Sequence, residues 1–490
     1  MQKDLSTSVA RATKWSVAAE MFAKISPLVV NMVLARLLAP EAFGIVASIA
    51  IITSFADIFT DAGFQKYIIQ HEYESEAHLT LSLNVAFTSN LIVSSIIYLC
   101  IALFSTPLAK LVGCPGQQRG IMVASLAVLC TAFSGILLAK CKRELDFKSV
   151  FYIRVLSALV PLTVTVSLAF WLRSYWAMVI GTLCQQIFIA GAALHLSRWK
   201  PRFVIDLQEF RRMISFSVMN LCETLSVWFT GQASIFIVAN LLDAYYLGLY
   251  KTATATINSY MAIITASVTP VLFSALSRCQ NDEKQFQDTF FKFQSMLALL
   301  VIPMGVGIFL YRDLALSILL GEAWAEATML LGLWALTSSI TIIYSHVACE
   351  VYRSKGLPQV SFVLQAVYLV FFIPSIYYAA TVGFTALTYV SCGIRLLPVF
   401  LDIIVLHVKF KIHAGAVLKN TAWSIVSAAV MCGFAIAFQA VAKHFIWQIC
   451  SMFLCALIYG AMILANKSYR AVGKELPLVR RLMKQLHMER

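Results

Sequence analysis

The sequence predicts an all-α polytopic membrane protein with about fourteen transmembrane helices, and three observations carry that prediction. Hydrophobic residues make up 60% of the 490 positions and charged residues 13%, with a mean hydropathy of +0.80. A soluble domain carries roughly a quarter charged residues, so this chain has too little polar surface to cover a water-facing globule. The apolar residues fall in blocks of about 20, the length that carries a helix across a hydrocarbon core of about 30 Å. Lysine and arginine, finally, concentrate in every second connection between those blocks.

Taken in order, the blocks lie at roughly 13–37, 43–66, 79–105, 119–139, 150–172, 175–196, 213–240, 247–273, 290–311, 328–352, 358–380, 383–407, 416–440 and 443–466. Each is bounded by charge or turn clusters. The first, seventh and eighth are the richest in Ser, Thr, Asn and Gln. The polar stretch from Met1 to Lys14 leads into a helix that contains Glu20 and Lys24. That differs from the short, clean apolar core and small-residue cleavage site of a signal peptide, and predicts that the first helix is retained.

The cations set the orientation. One side holds Lys3, Arg11, Lys14, Lys66, the cluster from Lys140 to Lys148, Arg198 to Arg212, Arg278 to Lys292, Arg353, Lys355, Lys409 to Lys419 and the tail from Lys467 to Arg490. The other side holds Arg36, Lys110, Arg119, Arg173, Lys251, Arg312 and Lys443. The count is 28 against 7, which predicts that both termini are cytoplasmic. The same alternation argues against nucleic acid as the partner of the net charge of +14, because the charges are spread over loops on one side and form no single basic face. The basic tail reads as a solvated end near anionic headgroups.

An internal repeat is visible. Ala35-Arg36-Leu37-Leu38 followed by Gly44-Ile45-Val46 returns 204 residues later as Ala239-Asn240-Leu241-Leu242 followed by Gly248-Leu249-Tyr250. Six helices separate the copies, so the halves would share one orientation and be related by an axis along the membrane normal, a common build of secondary transporters. This predicts a lobe over 1–205, a second over 206–412, two appended helices over 413–466 and a tail over 467–490.

Ionisable groups inside the spans are the candidate functional residues. Each costs about 2.5–3.5 kcal/mol at a helix centre, so they normally face a cavity or a partner. The cations are Lys24, Arg154 and Arg395; the acids are Glu20, Asp57, Asp61, Glu223, Glu350 and Asp402. Lys24, Glu223 and Arg395 fall near mid-depth. Glu20, Lys24 and Asn31 share one face of the first span; Thr53, Asp57, Thr60 and Asp61 share one of the second; Asn220, Glu223, Thr224, Thr230 and Ser234 share one of the seventh. An i, i+4 ion pair explains Glu20 with Lys24 on its own. Polar stripes on the spans that open both repeats suggest in addition a hydrated cleft. Glu20, Asp57, Asp61 and Glu223 are then candidates for ion coupling, and Lys24, Arg154 and Arg395 for an anionic ligand.

No nucleotide-binding phosphate loop, H-E-x-x-H or G-x-S-x-G occurs, and the cysteines show no metal spacing, so no cofactor, metal or catalytic residue is predicted. Outside loops are short, with little room for an enzyme active site.

Several phrases resemble a known family. They are Ala12 to Ser16, Val33 to Gly44, Asp61-Ala62-Gly63-Phe64 with Ile68-Ile69-Gln70, Arg143 to Phe147, Leu247 to Lys251 with Val271-Leu272-Phe273, and Gly321 to Trp324. Together they are similar to the polysaccharide transporters, the lipid-linked oligosaccharide flippases of the multidrug/oligosaccharidyl-lipid/polysaccharide exporter superfamily, and within these to the colanic-acid-exporter-like subgroup. Ser274 departs from the family pattern, which has proline before Ala275-Leu276-Ser277. The resemblance implies two six-helix lobes related by a pseudo-twofold, plus two C-terminal helices. It implies an undecaprenyl-pyrophosphate-linked oligosaccharide as substrate, moved to the periplasmic leaflet of a bacterial inner membrane by alternating access for capsule, exopolysaccharide or lipopolysaccharide assembly. H+ or Na+ are the candidate coupling ions, and a polysaccharide polymerase or assembly protein is a candidate partner. An ion-coupled small-molecule antiporter of the same fold is the alternative, and a membrane-embedded sugar-transfer enzyme a third.

Overall fold

A computed structural model describes Phe22, residues 25–60, 64–73, 75–197, 199–441, 445–466 and Tyr469. Within these helices the side chains at 215–220, 222, 223, 226, 267, 358, 441 and 445 are outside the description. All the regular structure among the described residues is helical. By contact the chain divides into two compact units, Met1–Thr252 and Ala253–Arg490.

The first unit begins with α1 (Ile25–Leu37), α2 (Pro40–Thr60) and α3 (Phe64–Gln70). It continues through α4 (Glu76–Leu103), α5 (Ser105–Leu111), α6 (Gln118–Arg143) and α7 (Phe147–Val160). A π-helical turn at Pro161–Thr165 joins α7 to α8 (Val166–Leu172), and α9 (Trp176–Leu196) and α10 (Leu207–Leu241) follow. The next helix, α11 (Ala244–Arg278), starts in the first unit and ends in the second. The second unit then holds α12 (Glu283–Leu310), α13 (Arg312–Leu319), α14 (Thr328–Thr341), α15 (Val347–Ser354), α16 (Pro358–Val382), α17 (Phe384–Ile394), α18 (Leu397–Phe410), α19 (Ala414–Val441) and α20 (Phe445–Ala465).

Among the described residues eleven helices are long and apolar enough to cross a membrane, or twelve when the pair Ala244–Ala266 and Val268–Arg278, bent by 40°, is taken as one span. The bend falls where Pro270 cannot donate back to residue 266. The expected first and seventh spans are represented by the shorter apolar helices Ile25–Leu37 and Val227–Leu241, so the count stops short of the fourteen read from sequence. Two short helices were not expected, α5 and α13. Each follows a long span after a single residue, Phe104 or Tyr311, at which the chain turns; hydropathy merges such a turn with its neighbours.

Helix starts are set by local chemistry. Ser75, Asp146, Asp206 and Asp282 each accept a hydrogen bond from a backbone N–H of the first turn that follows. Small and apolar side chains then bury each helix against its neighbours. In the first unit Ile68, Ala86, Ile136, Ala139 and Met213 are fully buried in one cluster, with Phe64, Leu83 and Phe87 beside them. Large apolar side chains also point outward along the spans, including Leu103, Trp171, Tyr378 and Val408. In water this surface would be untenable, and in hydrocarbon it is the expected one. The protein is a multi-pass membrane protein.

Candidate functional site

The span from Phe384 to Phe410 is broken at its middle. Helix α17 ends at Ile394 and α18 begins at Leu397, with Pro398 in its first turn; Arg395 sits in the gap. Proline is tolerated in a first turn because its missing N–H needs no partner there. The facing span, Glu322–Ser354, is interrupted too, by a π-helical turn at Ile342–His346. Such turns push side chains out of register and recur at functional sites.

Between these breaks the second unit holds an arginine site. The Arg395 guanidinium lies 3.8 Å from the centroid of the Trp334 ring, and its Nη2 donates to Ser338 Oγ at 3.0 Å. Trp334 is itself held, its Nε1 donating to Asn258 Oδ1 at 3.0 Å. His346 lies within electrostatic reach of both Arg395 and Arg353. A guanidinium stacked on an indole is fixed in plane and keeps the forked geometry that suits phosphate or carboxylate. About two helical turns further along the chain, Asp402 is buried and bound by two hydroxyls. Tyr352 donates to Oδ1 at 2.9 Å and Ser345 donates to Oδ2. Glu350 accepts from Arg353 at 3.0 Å.

In the first unit, Arg154 lies half-buried on α7, and Ser26 of α1 donates to the Ala158 carbonyl one turn away at 3.0 Å. Asp57 is half-buried on α2, one turn from Ser54, whose hydroxyl accepts from Trp228 Nε1 at 2.9 Å and from Gln232 at 3.5 Å. Helix α7 packs chiefly on α9 whereas α2 packs on α6, α10 and α4, so Arg154 and Asp57 stand on helices with largely different neighbours. Arg154 and Arg395 belong to separate units. Glu20, Lys24 and Asp61 lie outside the described residues. Glu223 falls on α10 where the side chain is not described.

Two further features of this unit were not read from sequence. An apolar groove of about 640 Å³ runs between α2, α4, α5 and α10, walled by Ile52, Phe55, Ile97, Phe104, Leu111 and Trp228 among others. Glycines also bring helix ends into backbone contact. A Cβ on Gly44 would lie 1.8 Å from the Ala244 carbonyl oxygen, and one on Gly248 1.9 Å from that of Pro40. Sequence reasoning missed Trp334, Ser338, Asn258 and His346, which carry no fixed charge to set them apart in an apolar block. The signal was present: Ser338, Ser339, Thr341, Tyr344, Ser345 and His346 form a polar run inside an apolar span.

A helical bundle of this size with interrupted spans and a cation at a break has the fold of solved membrane transporters. The lipid II flippase MurJ in an inward closed conformation superposes with a TM-score of 0.77 over 94% of this chain and 99% of that one, at 13% identity. An inward-facing multidrug resistance MATE family transporter of the MOP superfamily gives 0.58 over 83% and 95%, at 12% identity. The chain belongs to the polysaccharide biosynthesis protein family, whose model matches residues 33–329. Among curated relatives, the succinoglycan biosynthesis transport protein ExoT of Rhizobium meliloti (strain 1021) is 24% identical over 68% of this chain and 67% of its own length. The lipopolysaccharide biosynthesis protein WzxC of Escherichia coli (strain K12) is 22% identical over 74% and 73%.

Proposed function

We propose that the protein is a flippase for an undecaprenyl-pyrophosphate-linked oligosaccharide, carrying it from the cytoplasmic to the periplasmic leaflet of a bacterial inner membrane with both termini cytoplasmic. The observation that carries this reading is Arg395, a cation at a mid-span helix break, stacked on Trp334 and tied to Ser338. A guanidinium at this depth is costly and normally faces a cavity or a partner, and an anionic ligand would supply that partner. Family membership and the names of the relatives, one a succinoglycan biosynthesis transport protein and the other a lipopolysaccharide biosynthesis protein, support a glycan as the cargo.

In this reading Arg395, Lys24 and Arg154 hold the pyrophosphate or acidic sugars. The apolar groove between α2, α4 and α10 offers a wall for a prenyl chain. Glu20, Asp57, Asp61 and Glu223 are the carboxylates through which H+ or Na+ coupling would act. The two repeats over 1–205 and 206–412 would rock about the Gly44 and Gly248 contact, with 413–466 appended. A polysaccharide polymerase is the natural acceptor of the product.

The test is the leaflet on which the lipid-linked repeat unit accumulates in a strain lacking this chain. Accumulation on the cytoplasmic leaflet with loss of surface polysaccharide is the expected result. Normal surface glycan would overturn it and move the assignment to an ion-coupled small-molecule antiporter.

A further inference from the structure

The connection between α9 and α10 reads from sequence as an ordinary basic loop, yet the structure docks it along a transmembrane helix. The backbone N–H of Arg202 donates to Asn84 Oδ1 at 2.8 Å, and that of Val204 donates to Thr88 Oγ1 at 3.0 Å. Both acceptors are buried on α4. Asn84 and Thr88 lie 8 and 12 residues past Glu76, where that helix begins, so the contact reaches about 12 to 18 Å along the span. Counted from residue 79, where the apolar block begins, the two acceptors lie about 8 and 14 Å in, at and below the inner edge of the headgroups. Irregular backbone at such depth needs its polar groups paired, and the two α4 side chains supply acceptors for two of them, the N–H groups of Arg202 and Val204.

From Phe203 to Leu207 exposed and half-buried side chains alternate, with Val204 and Asp206 the half-buried ones. Val204 packs inward against the cluster around Phe87 and Met213, and Trp199 meets Phe87 edge-on with ring centroids 6.2 Å apart. Phe203, Ile205 and Leu207 are 75%, 79% and 78% exposed, Phe203 keeping one edge contact with Phe87 at a centroid distance of 6.1 Å. Three large apolar side chains in a row facing water would be costly; facing acyl chains they are stable. Cations flank them. Lys200 and Arg202 stand before the stripe, and Arg211 and Arg212 follow it on the first turns of α10.

Those arginines border a wide depression of about 580 Å³ whose other walls are Tyr67, His71 and Gln208. The wall is braced from behind. Glu209 is buried and accepts from Ser82 at 2.6 Å and Tyr67 at 3.4 Å, with His78 at 3.5 Å and Arg212 at 3.7 Å from its other oxygen. His71 stacks on Tyr67 with centroids 4.6 Å apart. Arg212 is thus held at the rim by an acid that no solvent reaches.

We propose that residues 199–207 form a strap embedded in the cytoplasmic leaflet, and that Arg211, Arg212 and His71 beside it receive the phosphate of an anionic phospholipid. The apolar stripe seats among the acyl chains, while the forked guanidinium groups match a phosphodiester at the depth where phospholipids carry it. The proposal rests on the cytoplasmic assignment of this face and is independent of which substrate the protein moves.

The experiment places a benzophenone photo-crosslinker at 203, 204 or 205 of the full-length protein in vesicles of phosphatidylethanolamine and phosphatidylglycerol, with adducts read by mass spectrometry. A crosslinker at Trp171, on the outward surface of α8, is the positive control. Lipid adducts at 203 and 205 but intraprotein links at 204 are expected. Absence of lipid adducts at 203 and 205, with adducts at 171, overturns the strap. Phosphatidylglycerol should be over-represented at 205 relative to the bulk mixture, falling about fivefold with each arginine removed in Arg211→Gln and Arg211→Gln/Arg212→Gln. Arg211→Gln alone keeps the Glu209 contact and so separates lipid binding from folding. Equal enrichment in all three proteins overturns the phosphate site. Enrichment seen only for an added polyprenyl diphosphate, and never for phosphatidylglycerol, overturns the phospholipid assignment.

Discussion

Gly44 and Gly248 stand 204 residues apart and make reciprocal contacts: the Cα of Gly44 abuts the Ala244 carbonyl, and that of Gly248 abuts the Pro40 carbonyl. Pro40 and Ala244 are themselves 204 residues apart and each opens its helix. A reciprocal contact is what two copies related by a twofold produce, since whatever one does to the other is returned. Neither glycine has positive φ. Both are needed for close approach and not for backbone conformation.

From this contact a first outcome follows. Alanine at either position would put a methyl group under 2 Å from a backbone oxygen, which no rotamer change relieves. The helix ends must part, at a cost of about 1–3 kcal/mol for an overpacked site. Gly44→Ala and Gly248→Ala are expected to lower glycan export in a strain lacking its own copy, whereas Gly191→Ala, which meets nothing within 4 Å, leaves it intact. Introduced cysteines at Pro40 and Ala244 should crosslink less readily in the alanine variants. Unchanged crosslinking would show that the contact tolerates a side chain.

The Arg395 site gives a second. Lysine keeps the charge and loses the planar stack on Trp334 and the directed bond to Ser338. Arg395→Lys is therefore expected to impair export nearly as much as Arg395→Ala. Trp334→Leu should cost about 0.5–2 kcal/mol in apparent ligand affinity, the range of a cation–π contact. Ser338→Ala should be milder. A double-mutant cycle between Arg395→Ala and Trp334→Leu checks the assignment, because additive losses would mean that the stack does nothing for the ligand.

Arg143 supplies a third, on stability. Its Nη1 donates to the carbonyls of Ile68 and His71 at 2.7 Å each, closing the end of α3, while the guanidinium lies 4.6 Å from the Tyr73 ring centroid. Hydrogen bonds to a charged group are each worth about 1.5–3 kcal/mol, and here the acceptors are the Ile68 carbonyl in the last turn of α3 and the His71 carbonyl just past it. Arg143→Ala should lower the thermal unfolding midpoint in detergent clearly, and Arg143→Lys should recover only part of it. Full recovery by lysine would reduce the residue to a point charge.

Much of this was legible in the sequence. Twenty-residue apolar blocks are imposed by bilayer thickness, so ten of the expected spans meet helices of matching extent, from Glu76–Leu103 to Phe445–Ala465. Arg395 stood out because a cation in an apolar block has few bland explanations. Its partners did not, since Trp334 and Ser338 are ordinary residues of a membrane helix until the fold brings them to a guanidinium 57 or more positions away. The strap was hidden for a related reason: Asn84 and Thr88 look like any polar residues of a span, and only the structure shows them holding backbone N–H groups of a loop. Hydropathy has no term for a loop that lies down in the bilayer.

Cys114 yields the last prediction. It lies between Lys110 and Arg119, in a connection that the charge pattern assigns to the outside, where a thiol would ordinarily react with an impermeant maleimide. The structure instead buries it to 6% exposure between α5 and α6, next to Gly113, whose own φ of +69° and contact with the Ala239 carbonyl pin the turn. Burial raises the thiol from 9.0 to about 11. The thiolate is the nucleophile, and each pK unit is tenfold, so about a hundredfold less of it is present near pH 8 than for an ordinary cysteine. The sign for stability follows. Between 9 and 11 the unfolded chain loses this proton and the folded chain keeps it, so the contribution of Cys114 to stability falls as pH rises through that window. Labelling of whole cells at pH 7.5 should therefore leave Cys114 unmodified, and the rate in purified protein should climb steeply only above pH 9. In the Gly44→Ala variant the same thiol should stay slow, because its burial rests on Gly113 and not on the Gly44 contact. Rapid labelling at neutral pH in the unmodified protein would mean that this turn opens, and that the Gly113 contact with Ala239 is made only part of the time.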